Sequence, residues 1–407
     1  MAGSVTIRHA ALVDPDSESV VPDRRIRIED GTIVEIVADP GSPVASAEID
    51  ATGRYAVPGL IDCHVHVTAF SADEHSLTMQ DPSYVAVRAA VELRATLRRG
   101  FTTVRDMAGA TAGLALGIAE GHIDGPRLFF GGKALSQTGG HGDLRLAGQQ
   151  MQDTSYAMPG LGRTCDGVSE VRRAARDEIR RGATHLKLML SGGCSSHTDR
   201  IDSVQFSDEE IHAAVQEAAA AGIYCGGHAY TTAAVVRALV LGVRSIEHGN
   251  LMDTSVVPLF LQHQAFYVPT LVTYQALADE GKQHGMTDEG LDKVATVRAG
   301  GLQALDVAHR GGVDVAFGSD LLGGMRRRQS EEFRIRAEVQ PAAEILRSAT
   351  TVAARLLGRA GTLGVIAEGA LGDLILTVHD PLADIRYLAD PAAEITAVIR
   401  NGHQIAG

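Results

Sequence analysis

Apolar and polar positions change rhythm twice along the chain. In residues 4–56, short apolar runs alternate with turn residues such as Asp14-Pro15, a pattern typical of antiparallel hairpins. The same pattern returns at 372–378 and 395–402. Neither end has enough strands to form a core alone. We therefore expect residues 1–57 and 360–407 to complete one composite β-sandwich domain.

Between these ends, residues 58–359 alternate apolar strand, polar loop, amphipathic helix and glycine. A glycine stands before five of the apolar runs, where the end of a helix needs a left-handed residue: Gly100, Gly182, Gly222, Gly242 and Gly312. Ser207 and Glu210 have the spacing of a capping box at the start of another helix. The alternation predicts parallel strands joined by helices.

Eight runs qualify as parallel strands, and they begin with residues 57–67 and end with residues 313–317. Eight strands with intervening helices predict an α/β fold of the (β/α)8 TIM-barrel type, enlarged by insertions. An open, doubly wound sheet is the alternative. It is disfavoured because no Gly-x-Gly-x-x-Gly motif follows an early strand.

Composition and charge narrow the class of protein. The 407 residues are 45% hydrophobic and 21% charged, values typical of a folded enzyme rather than a disordered or fibrous chain. A net charge of −13 disfavours nucleic acid and anionic membranes as partners and favours a small-molecule substrate. The chain begins without a basic segment followed by an apolar one, and no apolar run approaches a membrane span, so we expect a cytoplasmic protein. The four cysteines lack the spacing of a zinc ribbon or a disulfide scaffold.

His64 and His66 come at the polar end of the first central strand. Side chains alternate along a strand, so both imidazoles face the same way and can bind one ion together. Alone this is a weak signal, since core or surface histidines are common. The other ligands have to come from elsewhere in the chain.

The mouth of a (β/α)8 barrel collects the carboxyl ends of all its strands, so polar residues there are functional candidates. Four more side chains that can bind or bridge a metal occur at such places: Lys187, His228, His248 and Asp320. Their recurrence on separate strands favours a shared metal centre over chance.

Lys187 is unusual because it interrupts an apolar strand. Burying its ammonium costs several kcal/mol unless the charge is removed or paired. One interpretation is a lysine that extends to the strand end and reaches water. The other is that carbon dioxide adds to the neutral amine and forms a carbamate whose two oxygens bridge two cations.

Together these residues resemble the binuclear branch of the amidohydrolase superfamily, with its carboxylated lysine. The motifs that carry the resemblance are residues 58–66, 100–106, 228–230, 247–249 and 318–320. The resemblance implies one metal ion held by His64, His66, carboxylated Lys187 and Asp320, and a second held by Lys187, His228 and His248. Zinc suits imidazole and carboxylate-type ligands, although manganese, cobalt or iron also fits.

The resemblance also implies a mechanism. A water that bridges two cations becomes a hydroxide nucleophile near neutral pH, and Asp320 would take its proton and pass it to the leaving amine. His141, in the glycine-rich segment 139–143, and Tyr230 resemble the residues that stabilise the oxyanion in Xaa-Pro dipeptidases, metallocarboxypeptidases and imidazolonepropionase-like relatives. The simpler interpretations are a loop histidine and a packing tyrosine.

Substrate contacts are less defined. Arg326, Arg327 and Arg328 follow the last strand, and one could bind a substrate carboxylate, or the three could form a solvated basic turn. Loops 136–167, 192–206 and 273–286 are expected to wall the cavity. Five of their side chains suggest an apolar substrate site: Met151, Tyr156, Met158, Leu161 and Tyr274.

The main hypothesis is a metal-dependent amidohydrolase that releases an amino acid from dipeptides or N-acyl amino acids. A second keeps the centre but changes the substrate to a cyclic amide, a carbamate or a xenobiotic amide. A third is a non-catalytic scaffold. Alanine-rich outer helix faces lead us to expect a homo-oligomer.

Overall fold

Strands from both ends of the chain share one sheet. The computed structural model of the protein describes residues 4–41, 43–146, 148–149, 152–196 and 198–405. The first strands are β1 (Ser4–Asp14), β2 (Ser19–Glu29), β3 (Thr32–Ala38), β4 (Ile49–Asp50) and β5 (Tyr55–Pro58).

The central strands are short and mostly buried on both faces, as expected for parallel strands covered by helices. They are β6 (Leu60–Val65), β7 (Phe101–Asp106), β8 (Arg127–Phe130), β9 (Ala134–Ser136), β10 (Gly162–Thr164), β11 (Leu186–Met189), β12 (Cys225–Thr231), β13 (Ser245–Leu251), β14 (Phe266–Val268) and β15 (Asp314–Val315).

The C-terminal strands β16 (Leu374–Thr377), β17 (Ile395–Arg400) and β18 (His403–Gln404) return to the first sheet. Its order is β18-β17-β16-β5-β1-β2-β3, with β4 beside β1. β16 runs antiparallel to β5, with Leu374 opposite Pro58, so the chain end lies directly beside the entry to β6. The domain limits at 57/58 and 359/360 stay a prediction.

The central strands form two parallel sheets, in the orders β6-β7-β8 and β10-β9-β11-β12-β13-β14-β15. Backbone hydrogen bonds connect the sheets on both sides. The amide of Cys63 donates to the carbonyl of Phe317 at 2.7 Å. The amide of Thr184 donates to the carbonyl of Phe130 at 2.8 Å. The predicted α/β class with parallel strands is confirmed.

The described residues form the helices α1 (Glu74–Leu77), α2 (Pro82–Arg98), α3 (Ala112–Ala119), α4 (Gly167–Arg180), α5 (Asp208–Ala220), α6 (Thr232–Val240), α7 (Val257–His263), α8 (Leu271–Glu280), α9 (Asp288–Arg310), α10 (Glu331–Arg336), α11 (Ala342–Ser348), α12 (Thr351–Leu356) and α13 (Pro391–Glu394). Short 3-10 helices cover Thr254–Val256, Gly281–His284, Gly323–Arg328 and Ile385–Ala389. In this part of the chain, no helix combines the length and apolar character needed to cross a bilayer.

Local sequence signals place the helix ends correctly. The five glycines predicted to be left-handed have φ between +71° and +96°. In α5, Ser207 accepts from the amide of Glu210, and the Glu210 carboxylate accepts from the amide of Ser207, so the capping box is complete. Such caps satisfy amides that the first turn leaves without partners.

The largest core cluster packs helices α4 to α7 and α9 against strands β11 to β13. Val171, Ile211 and Leu239 are buried helix residues that pack with Leu186 and Ile246 of the strands. Each such side chain contributes about 1.5–3 kcal/mol to folding. This packing fixes the strand ends that carry the candidate ligands.

Two segments expected to be loops contain regular structure. In 136–167, β9 and β10 pair in parallel, with Ala134 opposite Gly162, and β9 also pairs with β11. Runs of three residues are too short for periodicity to reveal. In 273–286, α8 replaces most of the loop, because Leu271, Tyr274 and Leu277 recur on one buried face.

Candidate metal centre and active site

One cavity collects the side chains that the sequence predicts as metal ligands. Its volume is roughly 650 Å³, counting the open mouth. Its lining includes His64, His66, Lys187, His228, His248 and Asp320. They come from β6, β11, β12 and β13 or follow β6 and β15, because parallel strands bring their carboxyl ends to one edge.

His64, His66 and Asp320 form the tightest cluster. One ligand atom from each lies within 4.8 Å of the others. Oδ1 of Asp320 lies 3.4 Å from Nε2 of His64 and 3.2 Å from Nε2 of His66. Two imidazole nitrogens and a carboxylate that converge in this way can hold one divalent ion.

His228 and His248 lie beside this cluster. The His248 ring is 4.9 Å from the His64 ring and 4.6 Å from the His228 ring, measured between centroids. Nδ1 of His248 lies 3.7 Å from Oδ2 of Asp320. His248 is therefore close enough to share the Asp320 carboxylate with His64 and His66.

Lys187 lies among these groups without a hydrogen bond. Its side chain is buried, with 1% of the residue exposed, and Nζ has no partner among the described residues. Burial lowers the pKa of Lys187 to about 8, although Glu247 and Asp320 oppose the shift. Nε2 of His64 is a second buried nitrogen without a partner. Such orphaned atoms are expected where a further group belongs, and the donor set fits divalent ions.

Burial keeps most of the imidazoles neutral. It lowers the pKa values of His64, His228 and His248 well below the usual range. For His66, burial acts in the same direction, but the hydrogen bond and charge of Asp320 raise the pKa overall. Neutral imidazoles have the free lone pair that metal binding requires.

In each of the four imidazoles, one ring nitrogen contacts a protein group. This contact fixes the ring and leaves the second nitrogen for an ion. The contacts are His64 Nδ1 with Glu247 at 2.8 Å, His66 Nδ1 with the Ala108 carbonyl at 2.9 Å, His248 Nδ1 with the Thr270 hydroxyl at 2.8 Å, and His228 Nε2 with the Gly192 carbonyl at 3.1 Å.

Two of the candidate ligands also have unusual backbones. His248 has φ +75° and Asp320 has φ +53°, both in the left-handed region. A non-glycine residue there costs of order 1–3 kcal/mol, and such strain is concentrated at functional sites. Backbone amides support the turn at Asp320, whose N–H donates to the carbonyl of His64 at 2.8 Å.

Sequence reasoning assigned no role to a buried ion pair behind the cavity. Arg105 donates to both carboxylate oxygens of Glu247, at 2.9 and 3.0 Å, and both side chains are fully buried. Ser245 donates to the same carboxylate at 2.6 Å. A charged residue inside a buried strand is the signal that drew attention to Lys187, and it applies equally to Arg105 and Glu247.

His141 reaches the cavity from the segment after β9. Its ring lies 4.4 Å from the His228 ring, and its Nδ1 lies 3.1 Å from the Ser196 hydroxyl. The ring packs on Gly193, where any Cβ would overlap it. The amide of His141 donates to Gln205 at 3.0 Å, which anchors this segment over the cavity.

Tyr230 also lies beside His228. Its ring is 4.6 Å from that of His228, its hydroxyl donates to Cys194 Sγ at 3.5 Å, and it accepts from the Tyr274 hydroxyl at 3.1 Å. Burial raises the pKa of Tyr230 well above the usual range, so the phenol stays protonated and remains a donor.

The three arginines predicted to bind substrate do not line the cavity. Arg326 donates to the carbonyl of Val67 at 2.9 Å. Arg327 and Arg328 pair with Glu280 at 2.7 and 3.2 Å. Carboxylates and carbonyls around the turn occupy these guanidinium groups. The side chains of Arg326 and Arg328 are each 11% exposed, and that of Arg327 is 61% exposed.

The predicted apolar wall is only partly present. Leu161 and Tyr274 line the cavity. Tyr156 and Met158 are 55% and 40% exposed and line a separate apolar cleft instead. Met151 lies outside the described residues.

Comparisons with known proteins find similarity over nearly the whole chain. A model of the Amidohydrolase family matches residues 55–405. Ochratoxinase from Aspergillus niger is 31% identical over 420 residues, which cover 99% of this chain and 87% of the relative.

Two solved structures are closely similar. A prolidase complexed with N-methylphosphonate-L-proline is 44% identical, with a TM-score of 0.96 over 99% of both chains. A Xaa-Pro dipeptidase with methionine bound in its active site is 30% identical, with a TM-score of 0.88 over 100% of both chains. The similarity therefore includes the terminal sheet as well as the strands around the cavity.

Proposed function

Because the chain belongs to the amidohydrolase family and is an amide-bond-hydrolysing enzyme, we propose that it releases an amino acid from dipeptides or N-acyl amino acids. The family resemblance carried by the sequence motifs is confirmed. The observation that carries the finer proposal is the 44% identity, over 99% of the chain, to a prolidase that binds a proline derivative.

The family generally uses a divalent metal centre, and the cavity offers a candidate cluster for it. We assign one ion to His64, His66, Asp320 and carboxylated Lys187, and a second to Lys187, His228 and His248. The close approach of Asp320 to three of these imidazoles supports the assignment. Zinc is the proposed metal because imidazole and carboxylate-type oxygens suit it.

The surroundings of Lys187 support the proposed carboxylation. A lysine whose pKa is lowered to about 8 by burial has a far larger neutral fraction near physiological pH than an ordinary lysine, and the neutral amine adds carbon dioxide with release of a proton. Nζ of Lys187 is a donor without a hydrogen-bond partner, and carboxylation would attach to it two oxygens that share a negative charge. Such oxygens are good ligands for divalent ions and would relieve the cost of the buried amine.

Bound divalent ions would lower the pKa of a water molecule and polarise the scissile carbonyl. Asp320 accepts the proton from the attacking water and returns it to the leaving amine. Tyr230, protonated by its burial, and His141, fixed on Gly193, donate hydrogen bonds to the oxyanion as the carbonyl becomes tetrahedral.

We also propose that the two parallel sheets close into a (β/α)8 barrel. The hydrogen bonds from Cys63 to Phe317 and from Thr184 to Phe130 support closure on both sides. The C-terminal mouth of such a barrel is the usual location of an active site. Residues 1–57 and 360–407 would form the second domain. A cytoplasmic location and a homo-oligomer stay predictions.

A second candidate is hydrolysis of a xenobiotic amide, a cyclic amide or a carbamate by the same centre. The 31% identity to ochratoxinase over nearly the whole chain favours it, together with apolar cavity residues such as Leu161, Leu277 and Met286. One fold supports many substrates through its loops.

A substrate panel distinguishes the candidates. Metal-loaded enzyme is incubated with dipeptides, N-acyl amino acids, cyclic amides, carbamates and ochratoxin-type amides, and released amino acid or amine is quantified. Turnover of dipeptides or N-acyl amino acids that a chelator abolishes supports the proposal. Turnover of the other classes alone selects the second candidate, and no turnover of any amide contradicts both.

A further inference from the structure

One carboxylate in the cavity lining, that of Glu74, is not among the candidate metal ligands. Among the described residues that line the cavity, the acidic side chains are Asp320 and Glu74. Asp320 belongs to the cluster with His64 and His66. Glu74 is half-buried at the start of α1 and has no such role.

Among the described residues, Glu74 has one side-chain hydrogen bond and no ion pair. Ser195 donates to Oε1 of Glu74 at 2.6 Å. Within the described part of the chain, ion pairs within 4.0 Å do not include Glu74. Asp73 already caps α1 by accepting from the amide of Ser76, so the helix does not need the Glu74 carboxylate as its cap.

The position of Glu74 is fixed relative to the candidate oxyanion donor. Ser195 follows Cys194, whose sulfur accepts from the hydroxyl of Tyr230 at 3.5 Å. Glu74 therefore contacts the same short segment that contacts Tyr230. Leu277 and Met286 line the same cavity, so a substrate that reaches Glu74 also meets apolar side chains.

We propose that Glu74 binds a cationic group of the substrate, an ammonium or a guanidinium. A charge-assisted hydrogen bond to a carboxylate is about twice as strong as a neutral one. The cation is either the free α-amino group of a dipeptide or a basic side chain of the released residue. This inference rests on the proposed amide hydrolysis and narrows its substrates to those that carry a positive charge.

Matched substrate pairs test the inference and separate the two sources of charge. Leucyl-leucine and isocaproyl-leucine differ only in the α-amino group. Isocaproyl-lysine and isocaproyl-norleucine differ in the terminal amine of the side chain. The ratio of kcat/KM values within each pair is measured for the wild type and for Glu74→Gln, which keeps an acceptor for Ser195.

We expect the wild type to prefer the charged member of at least one pair by roughly tenfold or more. Glu74→Gln is expected to bring that ratio close to one. Glu120→Gln, an exposed position outside the cavity lining, is the control and should keep the wild-type ratio. Metal content and thermal unfolding of the three proteins establish that they are equally folded and loaded.

Failure of this inference and failure of the proposed function give different results. Efficient hydrolysis with no preference in either pair, or a preference that persists in Glu74→Gln, overturns the role of Glu74 alone. Hydrolysis of other dipeptides or N-acyl amino acids of the substrate panel, with none of these four compounds, overturns the role of Glu74 alone. Absence of turnover of every dipeptide and N-acyl amino acid, these four included, by metal-loaded wild-type enzyme overturns the proposed function and the inference with it.

Discussion

Nδ1 of His64 donates to Oε2 of Glu247 at 2.8 Å, although the two residues are 183 positions apart in the chain. The same carboxylate accepts two hydrogen bonds from Arg105, whose Nε donates to the carbonyl of Cys63 at 2.5 Å. The chain of contacts thus fixes the tautomer of His64 and leaves Nε2 free for an ion.

Replacing Glu247 by glutamine is expected to weaken metal binding by about 10–100-fold, because partners of ligating histidines typically have effects of this size. The change also leaves Arg105 buried without its counter-charge, a defect that costs about 3–5 kcal/mol of unfolding free energy. Metal content after titration with a chelator and thermal unfolding measure the two effects.

Ser245→Ala is the matched control for that variant, since it removes one donor to Glu247 but keeps the carboxylate and Arg105. It should change metal affinity far less. If Glu247→Gln bound the metal with wild-type affinity, the Glu247 carboxylate would not be what positions His64.

Lys187→Met is expected to lose most of the bound metal and all detectable turnover, because the variant cannot form a carbamate. Intact-protein mass spectrometry under native conditions should find one added carbon dioxide in the wild type and none in the variant. Reconstitution of metal-free wild type should be faster with bicarbonate present.

Lys282→Met is the control for Lys187→Met. The side chain of Lys282 is 74% exposed and pairs with Asp288. It should keep the carbon dioxide adduct, the metal and the activity. An unmodified Lys187 in fully loaded, active enzyme would contradict the proposed bridge.

Asp320→Asn tests proton transfer. We expect kcat to fall by about 10²–10⁴-fold, the usual contribution of a positioned acid or base. Asparagine keeps a ligand oxygen and tolerates the left-handed backbone at this position, so much of the metal should remain. Full activity in this variant, with metal content measured in the same sample, would refute the role.

Tyr230→Phe tests oxyanion stabilisation. Loss of one such donor is expected to lower kcat by about 10²–10³-fold with little change in KM. Tyr274→Phe removes the hydroxyl that donates to Tyr230 but leaves the Tyr230 hydroxyl in place, so its effect should be much smaller. Equal effects of the two variants would assign Tyr230 to packing.

We expect the folding stability of the terminal sheet to decrease in acid because of Asp39. Its hydrogen bonds with Arg8, both at 2.8 Å, hold the pKa of the Asp39 carboxyl well below its usual range. A lowered native pKa adds stability that is fully present above the unfolded pKa of about 3.9 and is lost as the pH falls through the native value.

Asp39→Asn should therefore lower the Tm at neutral pH, and its difference from wild type should shrink as the pH falls below about 4. The measurement is thermal unfolding across this range. Asp30→Asn, at an exposed turn with φ +48°, is the control and should follow the wild type. A difference that is constant with pH would contradict the linkage.

Much of the architecture could be predicted because it depends on local signals. Glycines such as Gly182 and Gly242 stop helices through their own backbone freedom, and apolar runs identify buried strands. His64, His228 and His248 could be grouped without a structure, because parallel strands bring equivalent ends together wherever they lie in the sequence.

Other features depend on side-chain contacts that local sequence does not encode. The pairing of Arg105 with Glu247 depends on how β7 and β13, which belong to different sheets, approach each other in three dimensions. The occupation of Arg327 and Arg328 by Glu280 depends on where α8 ends, and α8 itself was expected to be a loop. The sequence therefore grouped the side chains that line the cavity, but it did not reveal the contacts that hold them or those of the three arginines.

The contact between Gly193 and the His141 ring limits how this cavity can be altered. Introducing even a methyl group at position 193 would force the imidazole out of place or move the backbone that carries it. Libraries intended to change substrate preference should therefore leave position 193 constant and vary Leu277 and Met286, whose side chains border the same space.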